Sequence, residues 1–161
     1  MAAVDIFIKF DGILGESLDH KHKDEIVLES FSWGESNTGA HAATGGAGAG
    51  KVSMQDFHFT ARVSKASPKL MMACATGQHI KTGVVTLRKT QSENQFEFLF
   101  IKFDTVVITS VQDAGDTNNV PLEQVSFAFA KINVEYKEQK ADGSLGATVD
   151  FAWNLAANRK D

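Results

Sequence analysis

The sequence predicts a mainly β protein, an antiparallel barrel or two-sheet sandwich with one short α-helix and one long Gly-rich loop. Three observations carry that expectation. Apolar residues recur with a period of two from one end of the chain to the other, the spacing at which side chains share one face of a strand. A single segment carries helix punctuation at both ends. The chain of 161 residues, 43% hydrophobic and 22% charged with 2 Pro, is the size of one domain (1–161) with a self-sufficient core.

In chain order, Val4, Ile6, Ile8 and Phe10 share one face of a first strand, and Asp5, Lys9 and Asp11 share the other. From Glu25 to Trp33, Val27, Phe31 and Trp33 alternate with Ile26 and Leu28, so the second strand is expected to be covered on both faces. Ser36–Gly50 holds five of the 13 Gly residues and reads as a loop, longer than a compact domain ordinarily carries without a use for it. In Val52 to Val63 the apolar phase slips at Gln55-Asp56, which predicts a bulge within one strand. Ser67–Gly77 is the predicted helix, with Ser67 as N-cap, Pro68 at the first turn, Gly77 as the left-handed stop, and Leu70, Met71 and Cys74 on its packed face. Further strands are expected at Val84 to Lys89, at Gln95 to Val111 with a bend between sheets, at Val125 to Tyr136, and at Val149 to Trp153 after an Asp142-Gly143 turn. The tail from Ala156 to Asp161 is short and polar and is expected to fray.

Composition narrows the function. A single Cys excludes a disulfide framework, and 16 Lys+Arg against 20 Asp+Glu disfavour a protein that neutralises nucleic-acid phosphates. No stretch approaches the ~18 apolar residues of a membrane helix, so no membrane anchor is expected. The N-terminus has Asp5 and Lys9 inside its apolar run and no basic region before it, unlike a Sec signal.

Four constellations resemble chemical sites. Gly45-Gly46-Ala47-Gly48-Ala49-Gly50-Lys51 matches the start of a phosphate-binding P-loop, but Val52 replaces the magnesium-binding Ser or Thr and a strand pattern follows where a helix is needed. His20-Lys21-His22 lacks a third ligand at a recognised spacing, and a solvated turn is the simpler reading. Cys74 with His79 or His58 would make a nucleophile and base, yet Cys74 falls on the apolar face of a short helix. Asp113 and Asp116 sit in a polar loop and read as solvated carboxylates; no Gly-x-Ser-x-Gly elbow occurs. No catalytic residue, cofactor or metal is therefore expected, and the residues alone imply a β-rich domain whose strand edges pair with other chains, copies of itself above all.

One resemblance goes further. Asp5-Ile6-Phe7-Ile8-Lys9, Gly15-Glu16-Ser17, Ser30-Phe31-Ser32-Trp33-Gly34, Gly50-Lys51, Ser67-Pro68-Lys69-Leu70-Met71-Met72-Ala73-Cys74, Glu93-Asn94-Gln95 and Gln139-Lys140-Ala141-Asp142-Gly143 occur in the order seen in Hcp proteins. These are the haemolysin-coregulated proteins of bacterial type VI secretion, and the resemblance runs from about Val4 to Trp153. It implies a small antiparallel two-sheet β-barrel with one short flanking α-helix, serving as a structural subunit of the secretion tube. Six copies form a ring, rings stack, and the tube carries a VgrG spike, contacts sheath proteins and is exported from the cytoplasm on sheath contraction without a Sec signal. Small effector proteins are sheltered in the channel. By the same resemblance, Ala43, Thr44, Gly45, Gly46, Ala47, Gly48, Ala49, Gly50 and Lys51 form a ring-stacking loop, and Asp113 and Asp116 lie near the channel wall, where six copies would favour basic cargo. The alternative of another class is a monomeric β-barrel that binds a small apolar ligand inside; the many large Phe residues argue against the space it needs.

Overall fold

The computed structural model describes residues 4–37, 39, 51–91 and 94–161. In chain order the elements are β1 (Val4–Phe10), β2 (Ile26–Ser32), β3 (Glu35–Asn37), β4 (Val52–Met54), β5 (Phe57–Arg62), α1 (Ser67–Thr76), β6 (His79–Gln91), β7 (Asn94–Ala114), β8 (Leu122–Gln139), β9 (Leu145–Asn154) and β10 (Arg159–Lys160). All pairings are antiparallel. The main sheet runs β10-β9-β8-β5-β2-β1-β6-β7, and β7 returns to pair with β8, closing a six-stranded barrel with β9 and β10 as an extension. The mainly β barrel with one flanking helix is as the sequence predicts.

Closure depends on two long strands with two sets of neighbours. β8 offers one edge to β5 along 122–127 and then to β9 along 131–139. β7 pairs with β6 through Val107 and with β8 through Ala114, so residues 108–114 extend beyond the barrel. Aromatic side chains fill the interior. Between ring centres, Phe127 meets Phe103 at 5.0 Å and Phe10 at 5.5 Å edge-on, geometries that suit the ring quadrupoles, and Phe57 at 5.2 Å with the rings tilted.

The structure corrects several local expectations. Val27 is half exposed while Ile26 and Leu28 are buried, so the first half of β2 is covered on one face only. A register shift between Leu28 and Ser30 then turns the inward phase from even to odd positions, which brings Phe31 onto Phe57. The slip at Gln55-Asp56 is a break between strands rather than a bulge. β4 leaves the barrel to pair with β3, with Ser36 and Asn37 in the arm they form, while β5 stays in the wall. In α1, Ser67 is already helical and Ala66 holds the cap position; Ser67 Oγ instead accepts the Ser64 N–H at 3.0 Å. Gly77 is the left-handed stop, at φ 69°. The packed face carries Ser67, Leu70 and Ala73 with Cys74 at its margin, and Met71 points outward. Residues 156–161, read from sequence as a fraying tail, carry β10, and the Asp161 N–H bonds the Ala152 carbonyl at 3.2 Å.

Candidate functional site: an open, uncharged sheet face

Beyond the barrel, parts of β2, β5, β8 and β7 form a four-stranded sheet whose side chains align in rows. Ser32, His58, Ser126 and Ser110 are successive cross-strand partners, and Ser30, Thr60, Gln124 and Gln112 form the next row on that face. Between them Phe31, Phe59, Val125 and Val111 face the core. One side of this sheet is therefore apolar and buried. The other is a shallow groove of hydroxyl, amide and imidazole groups with no Lys, Arg, Asp or Glu in either row.

The groove is internally braced. Ser110 and Ser126 hydroxyls are hydrogen-bonded, Thr109 Oγ1 lies 3.0 Å from Ser126 Oγ, and the Thr109 hydroxyl donates to Asp56 Oδ2 at 2.7 Å. Thr109 reaches this side because of a register shift between Ile108 and Ser110. Both register shifts, here and at Leu28/Ser30, fall where a strand leaves its barrel neighbour. From there its outer edge has no strand partner among the described residues: residues 108–114 of β7 and 30–32 of β2. Such rows of unpaired backbone N–H and C=O groups are templates for another strand.

Of the residues singled out from sequence, Lys51 is exposed and leads into a strand, which leaves a P-loop without its helix. Ala43, Thr44, Gly45, Gly46, Ala47, Gly48, Ala49 and Gly50 lie outside the described residues. Asp113 is the cross-strand partner of Glu123, on the phase opposite to Gln112, so it faces away from the polar groove. Asp116 Oδ1 accepts the N–H groups of Asn118 at 2.8 Å and Asn119 at 3.0 Å and shapes its own turn. Cys74 packs against the core, whereas His58 projects from the outward face of β5 and His79 heads β6; they are not brought together. His20 and His22 also part. His20 is exposed, while His22 is buried, stacks on Phe7 at 4.4 Å, and links Glu25 Oε2 at 2.8 Å to Glu97 Oε1 at 2.7 Å. No group of three His, Cys, Asp or Glu among the described residues is placed to hold a metal. No helix among them is long and apolar enough to cross a membrane.

The Ser, Thr and Gln rows are not legible strand by strand, because the short polar residues at these positions form a site only when four strands lie side by side.

A closed barrel extended into a sheet whose two outer edges lack a strand partner among the described residues defines a class of β protein with edges that a further strand could pair with. Comparison with known proteins gives the family. Residues 7–136 match the family described as "Type VI secretion system effector, Hcp". The protein Hcp1 of Pseudomonas aeruginosa is 43% identical over 158 residues, 97% of this chain and 98% of its own. Among solved structures, one titled as a type six secretion system protein superposes with a TM-score of 0.90 at 34% identity, over 99% of this chain and 100% of that one. Hcp1 from Salmonella typhimurium does so with a TM-score of 0.84 at 32% identity, with the same coverage. The chain belongs to the Hcp family of type VI secretion system proteins.

Proposed function

We propose that the chain is the repeating subunit of a closed six-membered ring whose channel is walled by the uncharged sheet face, and that rings stack into the exported tube. The observation that carries this reading is the four-stranded sheet with an unpaired edge on each side. β2 and β7 run in opposite directions across it. Copies arranged head to tail therefore bring residues 108–114 of one against residues 30–32 of the next as antiparallel neighbours, and a rotation that closes gives a ring. Each copy adds four strands to a continuous cylinder, and cylinders of many strands leave an aqueous lumen.

In that arrangement the Ser, Thr, Gln and His rows line the lumen, and small effector proteins ride against them. The two rows without charge neither repel nor trap cargo of either sign. This reading moves cargo contact from Asp113 and Asp116 to Ser30, Ser32, His58, Thr60, Ser110, Gln112, Gln124 and Ser126. The arm of β3 and β4, between which the Gly-rich stretch falls in the sequence, contacts the adjacent ring. The spike and sheath partners come from the family, and the role is structural rather than catalytic. A ligand-binding monomer fits less well, because aromatic rings occupy the barrel interior where a ligand would sit.

Light scattering on the purified protein tests the ring. The expected mass is six times the chain's 17.5 kDa, with a central hole in negative-stain images. A compact monomer at every concentration would overturn it.

A further inference from the structure

On the side of the same sheet away from the groove, Leu28, Ala61, Glu123 and Asp113 form a cross-strand row that begins in hydrocarbon and ends in two carboxyl groups, Glu123 buried and Asp113 exposed at the open edge. Glu123 is 2% exposed. Its Oε2 accepts the Ser67 hydroxyl of α1 at 2.9 Å, and its Oε1 has no hydrogen-bond partner among the described residues. Among the described residues no cation is paired with it. α1 presents Ser67 and β5 presents Ala61; Lys65, just before α1, is exposed, and Arg62 of β5 is exposed and bonds Glu29 at 3.1 Å. The charged group that acts on Glu123 is Asp113 of β7. Two carboxyl groups without a third ligand fall well short of the six to eight oxygens of a calcium site. A proton fits them.

We propose that Glu123 and Asp113 hold a single proton between them, Glu123 Oε1–H donating to an Asp113 oxygen, and that its loss releases the end of β7. The proton gives the orphaned buried oxygen a partner and removes one of two negative charges that would face each other across the ladder. Burial pushes the Glu123 carboxyl above the ordinary glutamate range; the Ser67 hydroxyl opposes this and the Asp113 charge adds to it. Once the proton leaves, the paired carboxylates repel and residues 111–114 swing away from β8. Those residues belong to the unpaired edge, so the pair is a proton-controlled latch on subunit joining; that last consequence rests on the ring reading.

The test follows the wild type, Glu123→Gln and Asp113→Asn from pH 5 to 8. Carboxyl carbon NMR reports the titration, amide exchange corrected for intrinsic rates reports residues 111–114, and native mass is read at each pH. The carboxamide of Glu123→Gln still accepts from Ser67 and donates to Asp113, so it copies the protonated acid. In the wild type, protection at 111–114 is expected to fall about tenfold as Glu123 ionises; in Glu123→Gln it stays at its acid level throughout. In Asp113→Asn the Glu123 titration moves to lower pH. The latch is overturned if Glu123 titrates with the exposed glutamates, if wild-type protection ignores pH, or if Glu123→Gln keeps the wild-type dependence. A monomer at every pH whose 111–114 protection still follows Glu123 supports the latch and sinks the ring instead.

Discussion

Arg88 is 3% exposed and holds three elements together. Its guanidinium donates from Nη1 and Nη2 to both oxygens of Asp19, at 3.0 and 2.7 Å, and from Nη2 to Asp5 at 3.0 Å, and it lies 5.0 Å above the Phe7 ring. Asp5 and Arg88 are partners on β1 and β6, while Asp19 belongs to the connection between β1 and β2, so the bonds staple that connection to the wall. The hydrogen bonds from Arg88 hold the Asp19 carboxyl well below the usual carboxylate range. A lowered carboxyl contributes stability above its ordinary value, about 4, and loses it as the pH falls below that value. Arg88→Met is expected to destabilise the fold by about 3 kcal/mol in urea unfolding at pH 7, because two carboxylates lose their cation. The acid limb of its stability curve should also be flatter than that of the wild type. An unchanged limb would mean that Asp19 draws its low value from elsewhere.

At the scale of elements, β7 shows how one strand serves two structures. Residues 99–107 are held on both sides within the barrel; residues 108–114 are held by β8 alone. In an antiparallel edge, consecutive N–H groups alternate between the partner and the open side. Val111→Pro and Gln112→Pro therefore differ in kind, since proline removes an N–H wherever it stands. One of the two should fold with wild-type circular dichroism and run as a monomer, having lost a donor needed by the next copy. The other loses a bond to β8 and should unfold at a lower temperature. Two well-folded variants that both keep the ring mass would place the subunit contact away from this edge.

At the scale of the whole molecule, the proposed ring closure and ring stacking draw on different parts of the chain. In that proposal closure uses edges continuous with the barrel wall. Stacking is assigned to the arm of β3 and β4, which forms its own two-stranded sheet and leaves the main sheet intact. Deletion of Thr44 to Gly48 is accordingly expected to preserve the mass of a single ring and to shorten the tubes seen in electron micrographs. Tubes of unchanged length would count against the stacking role of the Gly-rich stretch.

Local chemistry was legible in the sequence alone. Period-two alternation marked β1, β5, β7 and β8, because a strand's inward positions need only their own neighbours to declare them, and Gly77 marked the end of α1 because few other residues adopt its left-handed backbone. The order of family motifs gave the Hcp family. Tertiary structure decided what depends on partners distant in the chain. His22 read as part of a solvated turn until Phe7 and Glu97 enclosed it. Glu123 stands out only once Ser67 and Asp113 meet it. Ser30, Thr60, Gln124 and Gln112 are unremarkable apart and become one uncharged row only when four strands align. A strand's own sequence sets which way its side chains point; which strand lies beside it, and which edge stays open, is set by closing the barrel.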